Sequence, residues 1–102
     1  MSKVSVLAKL VAHEGKGDEL VAAFDGMFGQ VAQEPGTELY VLNRSATEPD
    51  VFWFYELYTD QESLNAHGRS DAMKQAMKSF GGLIASNELV FGTPLRAKGV
   101  DV

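Results

Sequence analysis

Alternating residues open the chain. Val4, Val6, Ala8, Leu10 and Ala12 fall on one face and Ser5, Leu7, Lys9 and Val11 on the other. The pattern predicts a strand over 4–12 with both faces at least partly apolar. Gly15-Lys16-Gly17 interrupts it, and Asp18 and Glu19 supply the negative charge that suits a helix start. Leu20, Val21, Phe24, Met27, Phe28, Val31 and Ala32 then recur at helical spacing as one stripe. Gly26 and Gly29 weaken that helix, and a close neighbour at Gly29 would account for its missing side chain. Glu34-Pro35-Gly36 ends it. A second strand runs from Thr37 to about Ser45 and a third from Val51 to Tyr58. The run Val51-Phe52-Trp53-Phe54-Tyr55 is apolar or aromatic throughout, so neither face of the third strand suits water.

Thr59 and Glu62 have capping-box spacing and open a short helix on which Leu64 and His67 share a face. Gly68 interrupts, and Ser70 or Asp71 restarts a helix whose inward stripe is Met73, Ala76, Met77 and Phe80. Gly81-Gly82 stops it. A last strand is expected over Asn87 to Leu95, with a loosely held tail from Arg96. The order strand, helix, strand, strand, helix, strand is the ferredoxin-like arrangement, an α+β fold with a four-stranded antiparallel sheet. Both helical segments lie on one side of that sheet. Leaving the other side wet would cost many kcal/mol at about 25 cal/mol per Å². A second copy of the chain, packed sheet against sheet, is the simplest cover, so a homodimer is expected.

A length of 102 residues makes this one domain, 1–102, with its core at about 4–95. A net charge of −5 argues against a nucleic-acid groove, and zero cysteines exclude disulfides and thiolate chemistry. No stretch is apolar for long enough to span a membrane, and the first residues are too interrupted for a signal peptide. The expectation is a cytoplasmic protein.

Two histidines limit the acid–base candidates. His13 reads as a solvated loop residue, because Gly17 stands where the second histidine of a zinc-protease helix would be. His67 faces inward immediately before Gly68, where an imidazole can exchange a proton near neutral pH or be a buried, hydrogen-bonded core residue. Glu56 is a carboxylate inside the apolar third strand, on the face of Phe52, Phe54 and Tyr58. It must be paired, hydrogen-bonded or protonated, either orienting His67 or bonding backbone at the strand end or dimer interface. Phe24, Phe28, Met73, Met77 and Phe80 form either plain core or the lining of a pocket between helices and sheet. Tyr40, Tyr55 and Tyr58 are the hydroxyl donors available to an oxygenated aromatic ligand. Neither a dinucleotide fingerprint nor a P-loop is present.

Gln33-Glu34-Pro35-Gly36, Tyr40, the run Phe54-Tyr55-Glu56-Leu57-Tyr58-Thr59-Asp60, Leu64 and His67 together resemble the antibiotic biosynthesis monooxygenase family. The likeness extends from about Val4 to Pro94. It implies a dimeric α+β barrel that oxygenates phenols or hydroquinones with O₂, without metal, flavin or haem. In that case His67, polarised by Glu56, would deprotonate the substrate. Phe24, Phe28, Tyr40, Phe54, Tyr55, Met73, Met77 and Phe80 would hold the aromatic ring and exclude water. The residues by which the haem-degrading branch is known are missing here. A similar branch acting on small phosphorylated sugars would need a basic pocket, for which Arg44, Lys74 and Lys78 are the candidates. A ligand-binding dimer without chemistry of its own is the remaining alternative.

Overall fold

The computed structural model describes residues 2–102. Strands β1 (Val4–Ala12), β2 (Thr37–Arg44), β3 (Val51–Tyr58) and β4 (Ile84–Gly92) form one antiparallel sheet in the order β2-β3-β1-β4. Helices α1 (Gly17–Ala23), α2 (Asp25–Val31), α3 (Gln61–Gly68) and α4 (Asp71–Phe80) complete the ferredoxin-like α+β fold. β1 and β3 occupy the centre, which is why the chain's most continuous apolar runs are found there. Ala8, Leu10, Phe52 and Phe54 project to the helix side and are buried against Leu20, Phe24, Met27, Ala76 and Phe80.

The single helix expected after Gly17 is two. At Phe24 the backbone N–H bonds the carbonyl of Val21, three residues back, and this tighter turn separates α1 from α2. The ring of Phe24 meanwhile packs on Phe54 and Phe80, at centroid distances of 4.8 and 4.6 Å. Gly29 has open space around it, so the close neighbour expected there does not exist. The close approaches occur at two other glycines. A Cβ on Gly17 would lie 2.7 Å from the Pro49 carbonyl oxygen, where Asp50 accepts the backbone N–H of Gly17 at 2.9 Å. A Cβ on Gly36 would collide with the Ser63 side chain, so the 34–37 turn presses directly on α3.

Asp60, not Thr59, caps α3, its Oδ1 accepting the Ser63 N–H at 2.8 Å. Thr59 instead donates to Glu38. Ser70 caps α4. β4 begins three residues earlier than expected, at Ile84, because it pairs with β1 from Ala12 onward. The chain after Gly92 folds back over the outer sheet face instead of hanging loose. Pro94, Ala97, Val100 and Val102 line one cleft with Leu7, Leu39, Tyr55 and Leu57, and Lys3 Nζ donates to the Asp101 carbonyl. The rest of that face is bare. Val41, Tyr55, Leu7 and Val90 sit side by side in one row across all four strands, and every one is exposed. No helix is long and apolar enough to cross a membrane among the described residues.

Candidate active site

A cavity of about 210 Å³ opens between the inner sheet face and the helices. Its floor is Ala8 and Leu10 of β1, Tyr40 of β2, Phe54 and Glu56 of β3, and Asn87 and Leu89 of β4. Strand register makes this grouping: Ala8 stands between Phe54 and Leu89, and Glu56 is paired with Tyr40. A methyl group at the centre of a row of large side chains leaves room above it. Phe24, Met73, Met77, Phe80 and Ile84 form the roof and walls. Met77 is 63% exposed and marks the mouth.

Only three of the twelve lining residues can hydrogen-bond through their side chains: Tyr40, Glu56 and Asn87. Glu56 Oε1 accepts the Tyr58 hydroxyl at 2.5 Å. Burial pushes the Glu56 carboxyl above its ordinary range, opposed by that hydrogen bond and by the charge of His67. Burial likewise raises Tyr40 and Tyr58, with the Glu56 carboxylate adding to both. Both phenols therefore stay neutral at physiological pH. A carboxylate held in an apolar cavity and poised to accept a proton is the arrangement a general base requires.

The structure brings six of the sequence candidates to the cavity besides Glu56: Phe24, Tyr40, Phe54, Met73, Met77 and Phe80. Phe28 is one layer behind, edge-on to Tyr40 at 5.2 Å. Tyr55 does not belong to this group. Strand alternation turns it to the outer sheet face, where it is 53% exposed.

His67 is buried behind the cavity wall, with its ring 5.3 Å from Tyr40 and 5.5 Å from Tyr58. Its Nδ1 lies 2.9 Å from Glu34 Oε1, so its hydrogen-bonding carboxylate is Glu34 rather than Glu56. His67 and Glu34 border a second cleft of about 320 Å³ between the 33–37 turn and α3. Glu34 was absent from the sequence candidates because a turn acid looks solvated, and only the Gly36–Ser63 contact brings it against α3. Asn87 was missed because the last strand was placed too late, at its very start. No cation lines the cavity: Arg44 pairs with Asp18 at 2.7 Å and lies over the Phe52 ring. Among the described residues no cluster of three metal-ligating side chains exists.

The profile of the antibiotic biosynthesis monooxygenase family matches residues 3–79. No curated protein sequence matches significantly. Among solved structures, a candidate antibiotic biosynthesis monooxygenase from Caulobacter crescentus is 30% identical, with a TM-score of 0.87 over 93% of this chain and 92% of its own. A candidate of the same name from Chloroflexus aurantiacus is 25% identical, with a TM-score of 0.83 over 98% of this chain and 100% of its own. A Shewanella oneidensis protein at 24% identity shares the fold, with a TM-score of 0.86 over 91% of each chain.

Proposed function

The chain belongs to the antibiotic biosynthesis monooxygenase family, and from that premise we propose that it monooxygenates a small hydroquinone or related phenol in the cavity above Ala8. One observation carries this reading: a half-buried carboxylate, Glu56, beside a neutral phenol, Tyr40, on the floor of an otherwise apolar chamber. Apolar walls suit an aromatic ring, and the absence of a lining cation disfavours a phosphorylated sugar.

The chemistry asks little else of the protein. Glu56 takes the proton of a substrate hydroxyl, and the resulting electron-rich phenolate can transfer electrons to O₂. Carbon–oxygen bond formation on the ring followed by loss of water balances as hydroquinone plus O₂ giving hydroxyquinone plus H₂O. One oxygen atom stays on the ring and the other leaves as water. Tyr40 and Asn87 are the groups available to orient the substrate oxygens, and the aromatic walls keep water from the intermediate. His67 acts through its neighbours and not on the substrate.

Size narrows the substrate class. At about 210 Å³ the cavity is larger than the roughly 150 Å³ that holds a benzene ring. It is smaller than the roughly 300 Å³ at which drug-sized pockets begin. That volume suits a one- or two-ring substrate better than a four-ring polyketide. The bare outer row of Val41, Tyr55, Leu7 and Val90 supports a homodimer joined sheet to sheet.

An oxygen electrode tests the proposal with one-, two- and four-ring hydroquinones. The expected result is O₂ consumption above autoxidation for the two smaller classes alone. Tight binding of these compounds without O₂ consumption would instead identify a ligand-binding protein.

A further inference from the structure

Glu34 sits one residue before a proline in a surface turn, yet its side chain is only 15% exposed. Three donors surround it: Thr37 Oγ1 at 2.8 Å and His67 Nδ1 at 2.9 Å on Oε1, and Gln30 Nε2 at 2.9 Å on Oε2. Burial alone would raise its pKa, but the hydrogen bonds from Gln30, Thr37 and His67 bring it below the ordinary carboxylate range. Glu34 is therefore ionised at neutral pH, and an ionised carboxylate only accepts. The hydrogen between Glu34 and His67 must then be on Nδ1.

A neutral imidazole with its hydrogen on Nδ1 has a bare acceptor at Nε2. Among the described residues Nε2 has no hydrogen-bond partner, yet no buried side-chain polar atom is left unpaired. Nε2 therefore borders accessible space. The turn carrying Glu34 cannot slide away from α3, because Gly36 is in contact with Ser63 and its carbonyl accepts the Thr59 N–H at 2.9 Å.

We propose that Glu34 is a positioning residue that locks His67 as the Nδ1–H tautomer, leaving Nε2 as the ring's free proton acceptor. Its effect on rate rests on the function proposed above; the tautomer does not. When Nε2 takes a proton, the imidazolium stands behind Glu56 and favours the ionised form that a base needs. The titratable groups facing Glu56 are Tyr40 from β2, Tyr58 from β3 and His67 from α3, with Glu34 beyond His67. The second cleft gives His67 and Glu34 a route to exchange that proton with water.

Long-range ¹H–¹⁵N spectra distinguish the two tautomers once the imidazole is neutral, and exposed His13 supplies an internal reference. The wild-type protein should show His67 protonated on Nδ1; the Nε2–H form would overturn the proposal. In Glu34→Gln the amide can either donate to Nδ1 or accept from it, so the hold on a single tautomer is lost. Loss of the orienting carboxylate should lower kcat by roughly tenfold or more, with KM within about twofold. Glu34→Asp should restore the tautomer and part of kcat. An unchanged kcat in Glu34→Gln refutes the assignment. Should that variant not fold, the wild-type spectrum still decides. A wild-type protein that oxidises no hydroquinone defeats the proposed function alone, and the spectrum still confirms or overturns the tautomer.

Discussion

Glu56 is costly to hold half-buried among aromatic rings, and the proposed role as a base draws on that cost. Desolvation raises its pKa, while the Tyr58 hydroxyl and the His67 charge restrain the rise. The base must be ionised to accept a proton, so turnover should be full at high pH and fall as pH drops through the raised Glu56 pKa. A pH–rate profile of kcat/KM should therefore place the acid limb above the ordinary carboxylate range. Glu56→Gln keeps the shape and an acceptor for Tyr58 but removes the base. Its kcat should drop by roughly a hundredfold or more, and the acid limb should vanish. A retained limb would move the base elsewhere. At this scale the sequence was legible in kind but not in partnership. An acid inside a run of aromatics announces itself, whereas Glu34 meets His67 across 33 positions through a turn whose composition looks solvated.

Elements place these groups by simple periodicities and a few contacts. β3 is central, so its alternate residues Phe52, Phe54, Glu56 and Tyr58 all reach the helix side. The same alternation carries Tyr55 away from the cavity, a consequence already implicit in the strand reading that nevertheless counted it among the lining. Strand ends were harder to place. β4 is an edge strand with little buried surface, so its pattern carries weak hydrophobic contrast, and its start was misplaced by three residues. The α1–α2 break was invisible because it is a single tight turn at Phe24 with no proline to mark it. At the Glu34–Gly36 turn, contact with α3 determines the site. Gly36→Ala should force the turn off Ser63 and lower thermal stability by about 1–3 kcal/mol, as overpacking does. Ser63→Gly in the same chain should recover part of that loss, measured by denaturant unfolding. Two purely additive losses would show that the contact is not the cause.

For the whole molecule, the ferredoxin-like order was readable because four strands and two helical segments admit few arrangements. The cavity was not, since its volume depends on Ala8 standing between Phe54 and Leu89 in register. The bare row across the outer face has its own consequence. Each large apolar side chain left wet forgoes roughly 1.5–3 kcal/mol of burial. The folded-back tail borders Leu7, Tyr55 and Leu57, yet Leu7, Val41, Tyr55 and Val90 stay exposed. Sedimentation equilibrium at micromolar concentration should report dimers, and Leu7→Asp should convert them to folded monomers. Wild-type monomers would remove the sheet-to-sheet reading.

The fate of the two atoms of O₂ tests the whole account most directly. In ¹⁸O₂ with a two-ring hydroquinone, mass spectrometry should find one labelled oxygen on the quinone product and the other in water. Unlabelled quinone accompanied by hydrogen peroxide would mean that electrons leave the ring but oxygen never enters it, and the monooxygenase mechanism would be wrong.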